Sequence, residues 1–420
     1  MSRTDRPPSA CDIAVAGGGI LGLAVARELA AREPDARIIL LEAEDKLAAH
    51  QSSHNSGVVH AGVYYEPGSL RARLCVDGAA RLGEYCAERE LPWRASGKLI
   101  VATNEAELPR LDELERRGQA NAVRELTRVG SDEIPEIEPA ARGLAALHSP
   151  FTAVTDFAAI AGSFADDFEK AGGSIHLACP VLSARPAGTG SPSGGVSTTG
   201  TGSPARLRLR TPSGPLDCGR AVFCAGLQSD RLAVACGGSI EPRIVPIRGG
   251  YLEVKPGRED LVRGNVYPVP DPELPFLGAH LTRTFDGSLL IGPTAMIAGA
   301  RDAYELTRLS RRDLGTTLRW PGTWELMRRH LRASMSEAAN SIRPARLARE
   351  AARMVPGLTA DDVIPGPSGV RAQALDREGN LIEDFLIEQT EAGVHVRNAP
   401  SPAATSSLAL AGLIADRALT

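Results

Sequence analysis

The chain lacks any long hydrophobic run: its most apolar late stretch, residues 408–415, is far shorter than the roughly 20 residues a membrane-spanning helix needs. No transmembrane helix is expected. It also lacks closely spaced cysteine pairs. Cys11, Cys75, Cys86, Cys179, Cys218, Cys224 and Cys236 are scattered and form no C-x-x-C, which argues against a disulfide scaffold or a zinc ribbon, and no metal site is expected. There is no Lys/Arg-rich block, and 47 basic against 51 acidic residues leave a net charge of -4, so nothing draws the molecule as a whole toward nucleic acid. The residues before the first apolar strand lack the charged and apolar blocks of a secretory signal, which gives an intracellular, cytoplasmic reading.

What is present suffices for a large buried core and two lobes: 420 residues, 43% of them hydrophobic. Residues 12–16 alternate around apolar positions and run into glycines, and residues 20–31 are rich in Ala and Leu at helical spacing. That predicts strand, tight turn and helix. A second apolar run, 37–41, ends at Glu42 and closes a β-α-β unit, so the predicted fold class is α/β, a doubly wound Rossmann-like sheet. Further on, 157–170 reads as helix, and 174–178, 206–210 and 221–225 as strands. Pieces at 251–254, 265–269 and 288–291, set off by Pro and Gly, predict a second α+β lobe on a mostly antiparallel sheet. Residues 306–354 turn helical and Arg-rich, 395–397 read as extended and 405–418 as helical. The stretch 186–205 is almost wholly Gly, Ser, Thr and Pro and is expected to be a mobile loop without chemistry.

Gly17, Gly19 and Gly22 form G-x-G-x-x-G at the first strand-to-helix junction. Gly17 permits the tight turn, Gly19 lets a pyrophosphate approach the backbone, and Gly22 lets helix and sheet pack closely. The N–H groups of the helix start, with Ile20 and Leu21, and the positive end of the helix receive phosphate charge. Glu42, followed by Ala43, stands twenty residues after Gly22, where a carboxylate accepts both ribose hydroxyls and repels a 2'-phosphate. This unit predicts a dinucleotide and leaves FAD and NAD open.

The run H-N-S-G-V-V-H-A-G-V-Y-Y from His54 to Tyr65, followed by Ala72, Arg73, Leu74 and Cys75, resembles the L-2-hydroxyglutarate dehydrogenase/oxidase family, within the flavoenzymes similar to D-amino-acid oxidase. Similar strings recur at G-K-L-I-V-A from Gly97, Y-P-V-P-D from Tyr267, P-F-L-G-A-H from Pro275, G-V-R-A-Q-A-L from Gly369 and N-A-P-S-P-A-A-T from Asn398. The resemblance covers nearly the whole chain and implies FAD as cofactor. It implies that Ser53, Asn55, Ser56, Gly57 and Val58 lie along the pyrophosphate and flavin, that Ala225 and Gly226 form a second phosphate-side turn, and that Val181 contacts adenine. Ser401, Pro402, Ala403, Ala404 and Thr405 would then bring the start of the last helix to the flavin, where its partial positive charge suits a reduced ring. An FAD-binding domain is expected over 1–92, 150–240 and 364–420, and a substrate domain over 93–149 and 241–363.

The implied activity is oxidation of a small 2-hydroxy dicarboxylic acid, L-2-hydroxyglutarate foremost, which requires a base, a carboxylate clamp and a dry pocket. His60 and His280 are equal candidates for the base, since imidazole titrates near neutrality. Arg371 is the expected carboxylate ligand through two parallel hydrogen bonds, and Arg248, Lys98 and Gln373 are candidates for the second carboxylate. Electrons leave to oxygen or a membrane quinone. Between Leu306 and Arg332 stand seven arginines against Asp313 and Glu325, with Trp320 and Trp324 interleaved; this is either a peripheral contact with the inner face of the cell membrane or a solvated helical face. Alternatives are a different 2-hydroxy acid, an amine or glycerol phosphate as substrate in the same flavoenzyme group, and a flavin-binding protein without turnover.

Overall fold

The computed structural model describes every residue except 1, 2, 4, 5, 188–206, 272–276, 332–336, 338 and 342. The expected loop at 186–205 therefore lies outside the described residues save for 186 and 187, and Pro186 ends the strand Ser183–Pro186. Two large sheets organise the rest.

The first is an 8-stranded sheet. Its parallel centre sets Ala10–Ala16 between Gly214–Phe223 and Ile38–Leu41, with Ser174–His176 beyond the latter and Gly393–Asn398 beyond the former. Antiparallel strands Ser183–Pro186, Leu207–Thr211 and Leu386–Thr390 extend it. Successive side chains of a strand point to opposite faces. Ile13 and Val15 accordingly join a core with the helices Ile20–Arg32, Phe157–Lys170 and Ser407–Leu419, while Ala14 and Ala16 join another on the opposite side. Burial on both faces explains why these strands read as near-continuous apolar runs.

The second sheet has 9 strands and is antiparallel except where Asn265–Pro268 runs parallel to Lys98–Ala102. Its longest pairing joins Arg243–Val254 to Val363–Leu375. Leu99 and Val101 pack toward the helix Pro344–Ala351, whereas Ile100 and Ala102 pack toward the helix Leu108–Ala120. A small sheet of Val58–Val59, Ala153–Thr155 and Trp93–Ala95 completes the pairing.

Three expectations need correction. Residues 306–354 are mostly helical among the described residues, as in Arg311–Arg319, Pro321–Arg329 and Pro344–Ala351, but the segment ahead of Ser310, whose hydroxyl caps the first of these, is not. The extended run expected at 174–178 stops at His176. The last helix begins at Ser407 rather than at Thr405, because residues 401–406 form tight turns first. Among the described residues, no helix is long and apolar enough to cross a membrane.

Candidate functional site

A cavity of about 1830 Å³ is lined from both large sheets. At one end stands the glycine turn. Gly17 has φ +114°, and a Cβ there would lie 2.3 Å from the Cys224 carbonyl oxygen; a Cβ on Gly22 would lie 1.9 Å from the carbonyl oxygen of Gly17. The protein's own backbone therefore demands glycine at both positions. At Gly19 a Cβ would meet only the Ser52 hydroxyl, at 3.2 Å, so the bare backbone there serves whatever enters the cavity.

The first turn of a helix leaves N–H groups without partners inside the helix. Here the Ile20 N–H donates to Ser52 Oγ at 2.9 Å, while Leu21 and Gly22 face the cavity. Glu42 is buried and accepts from the backbone N–H groups of Gly18 and of Glu44, the latter at 2.9 Å. A carboxylate offers about four acceptor positions, so capacity remains for ribose hydroxyls. Ala43, Val181, Ala225 and Gly226 line the same end. Bare glycine backbone, an open helix start and a buried acid together fit the adenosine diphosphate portion of FAD.

The neighbouring loop is only partly as expected. Asn55, Ser56 and Val58 line the cavity, but Ser53 and Gly57 do not. The Ser53 hydroxyl donates to the Ala48 carbonyl at 2.7 Å, and the Gly57 N–H donates to Asn55 Oδ1 at 2.8 Å. Gly57 also has φ +72°, and a Cβ there would stand 2.4 Å from the Thr155 carbonyl oxygen. Both residues shape the turn, and Ser52, which sequence reasoning passed over by one position, faces the cavity instead.

The chemistry-bearing side chains share the same cavity. His60, His280, Arg371 and Gln373 all line it, as do Tyr64, Tyr251 and Tyr267. Arg371 and Gln373 are two apart in the strand Val363–Leu375 and so point to one face. His280 is buried, stacked on Tyr267 with ring centroids 4.0 Å apart, and its Nδ1 lies 2.9 Å from the Gly278 carbonyl oxygen. A carbonyl only accepts, so Nδ1 carries the proton of the neutral ring and Nε2 holds a free lone pair. Burial pushes this imidazole down to about 3, the Gly278 bond opposes that, and the charges of Lys98 and Arg371 add to it.

His60 reaches Ser401 Oγ through Nε2 at 3.3 Å, and its backbone N–H donates to Thr405 Oγ1 at 3.1 Å. Its Nδ1 and the Tyr64 hydroxyl are buried with no hydrogen-bond partner among the described residues. Burial first, then Lys98, His280 and Arg71, hold the His60 imidazole well below its ordinary value. The 401–406 turn that meets His60 is pressed by the helix Leu70–Glu88, where a Cβ on Gly78 would lie 2.6 Å from the Ser406 Cα. Ser401, Pro402, Ala403, Ala404 and Thr405 all line the cavity, although as turns rather than as a helix start.

Two candidates for a second carboxylate are placed elsewhere. Arg248 donates through Nε and Nη2 to the Tyr304 carbonyl at 3.3 and 3.0 Å, and Lys98 lies behind the cavity lining, over the Tyr267 ring. Trp320, expected at a membrane-facing surface, is buried and donates to the carbonyls of Leu375 and Asp376 at 3.1 and 3.0 Å.

Comparison with known proteins gives one picture. The family model for FAD dependent oxidoreductases matches residues 12–417. The mitochondrial L-2-hydroxyglutarate dehydrogenase of Nematostella vectensis is 45% identical over 420 residues, 99% of this chain and 92% of that protein. The L-2-hydroxyglutarate dehydrogenase of Indibacter alkaliphilus is 37% identical over 408 residues, 97% of this chain and 98% of that protein. Among solved structures, the dithionite-reduced L-alpha-glycerophosphate oxidase of Mycoplasma pneumoniae with FAD bound superposes with a TM-score of 0.75 at 22% identity, covering 98% of this chain and 94% of that one. That last likeness is one of fold.

Proposed function

This chain belongs to the FAD dependent oxidoreductase family, and on that premise we propose that it oxidises L-2-hydroxyglutarate to 2-oxoglutarate. The observation that carries the reading is a single cavity whose lining runs from the Gly17 turn to His60, His280 and Arg371. The glycine turn, Ser52, Glu42, Ala225 and Gly226 hold the cofactor's adenosine diphosphate. FAD, when bound, supplies the N5 acceptor for the hydride that leaves C2 of the substrate. Arg371 pairs with the carboxylate beside C2, and Gln373, on the same strand face, receives the second carboxylate. Nε2 of His280 takes the hydroxyl proton, because Nδ1 is committed to the Gly278 carbonyl. His60, tethered to Ser401 and Thr405, orients the hydroxyl. Anaerobic mixing with each enantiomer of 2-hydroxyglutarate while following flavin absorbance tests the reading. Bleaching by the L form supports it, and bleaching only by an amine or glycerol phosphate overturns it.

The division into an FAD-binding domain (1–92, 150–240, 364–420) and a substrate domain (93–149, 241–363) belongs to the same proposal. The first sheet draws all its described strands from the former segments, and only Val363–Leu375 crosses to the second sheet. Electrons pass to a quinone or to oxygen. Exposed Leu306, Leu309, Leu318, Trp324 and Leu331, interspersed with arginines, support peripheral contact with the inner face of the cell membrane from a cytoplasmic position. Flotation with anionic vesicles tests this, and protein left wholly in solution overturns it.

A further inference from the structure

Lys98 opens the strand Lys98–Ala102 on the face that carries Ile100 and Ala102. Only 3% of it is exposed. Its ammonium stands 4.1 Å from the Tyr267 ring centroid and 5.4 Å from that of Tyr64, and no carboxylate among the described residues bears on it. An ammonium removed from water without a counter-ion is costly, and ring faces offset that only in part. The two rings that sandwich it also line the cavity, and one of them carries the stacked His280. This buried cation therefore sits one layer behind the groups assigned to proton transfer.

We propose that Lys98 is a positioning residue whose buried positive charge, set behind the Tyr64 and Tyr267 rings, adds to burial in keeping the imidazoles of His60 and His280 neutral and ready to accept a proton. The inference rests on the functional reading given to those two histidines. The groups that bear on them offer no negative charge: Lys98, Arg371 and the Gly278 carbonyl at His280, and Lys98, His280 and Arg71 at His60. Lys98 itself faces Tyr64, Tyr267 and Cys75, whose thiol burial pushes up to about 12, so these neighbours stay uncharged at neutral pH.

Burial lowers Lys98 to about 7, so the ammonium is present mainly below that pH. An ordinary imidazole takes up its proton at about 6.5, within the same interval. The lysine is thus charged in the acid range, where its repulsion adds to burial in opposing protonation of the imidazoles.

The test uses the FAD-loaded protein with isotope-labelled histidine, followed by NMR through an acid titration without substrate. His60→Gln and His280→Gln assign the two signals. Lys98→Met removes the charge and keeps the apolar stem, Lys98→Gln is the second variant should the first not fold, and Lys98→Arg restores a cation. The expected result is that at least one imidazole in Lys98→Met begins to protonate about 1 pH unit or more higher than in the wild type, and that Lys98→Arg moves it back. The acid limb of anaerobic flavin reduction by L-2-hydroxyglutarate shifts upward with it. Imidazole signals that titrate unchanged in a folded, charge-free variant overturn the proposal. Shifted imidazoles in a protein whose flavin L-2-hydroxyglutarate never bleaches overturn the functional reading instead and leave the electrostatic role standing.

Discussion

Ser401 and His60, 341 positions apart in the chain, meet at 3.3 Å between Oγ and Nε2. The Thr405 hydroxyl accepts the His60 N–H beside that contact, so the imidazole is held at its backbone and at one ring nitrogen. The other ring nitrogen is buried and has no partner among the described residues.

His280→Gln is expected to slow anaerobic flavin reduction by L-2-hydroxyglutarate by about 10² to 10⁴, the usual worth of a positioned base. His60→Gln is expected to cost less, since His60 orients rather than takes the proton. Stopped-flow flavin absorbance compares them, and a larger loss from His60→Gln reverses the two roles.

The same histidine gives a pH signature in stability. The folded His280 imidazole stays neutral down to about 3, whereas in the unfolded chain it protonates at about 6.5. The unfolded state then binds the extra proton between these values, so the stabilisation is complete above about 6.5 and falls as pH drops toward about 3. Thermal melting of the wild type is expected to decline more steeply below pH of about 6.5 than that of His280→Gln, and parallel declines count against a neutral buried imidazole.

Arg371→Lys is expected to raise the half-saturation concentration for L-2-hydroxyglutarate about 10-fold or more, because a point charge replaces a planar fork and hydrogen bonds to charged groups contribute about 1.5 to 3 kcal/mol. Steady-state kinetics read this directly. An unchanged value removes Arg371 from substrate binding.

Gly22→Ala places a methyl 1.9 Å from the Gly17 carbonyl oxygen, so helix and turn must part. The purified variant is expected to melt at lower temperature and to carry less FAD per chain, measured by flavin absorbance against protein. Full flavin content would mean that the turn tolerates the shift.

Arg301 and Asp230 form a buried pair, with Nη1 to Oδ1 at 2.5 Å and Nη2 to Oδ2 at 2.9 Å. Burial alone would push the Asp230 carboxyl up, but the Arg301 hydrogen bonds and charge outweigh it and hold it below its ordinary value. Arg301→Met leaves that carboxylate with the Arg243 guanidinium at 3.8 Å and the Ile244 N–H at 3.2 Å, and is expected to cost about 3 kcal/mol, read by denaturant titration near neutral pH. The wild type's own contribution from Asp230 is present above about pH 4 and is lost as pH falls through the lowered value.

The first sheet was legible because its central strands, buried on both faces, read as short apolar runs, and because Gly17 and Gly22 are demanded by contacts within the fold. Ser52 was not, since which of two adjacent serines faces a cavity depends on the phase of a turn, and composition carries no phase. Trp320 reads as a surface aromatic within an Arg-rich segment, yet its indole N–H finds the Leu375 and Asp376 carbonyls, partners far away in sequence. The sandwich of Lys98 between Tyr64 and Tyr267 brings together a small-sheet neighbour and two strands of the large sheet, and no local pattern announces it. The last helix starts late for a related reason: the turns at 401–406 are fixed by His60 and by the helix carrying Gly78, not by helix propensity.

The meeting of Ser401 with His60 also bears on the protein's biosynthesis. A ribosome adding about 5 to 20 residues per second makes Gly17 tens of seconds before Ser401, and until the later segment emerges the pocket has no floor beneath His60. The nascent polypeptide thus holds half a cradle for most of its elongation, and the lining is complete only when the two distant segments dock.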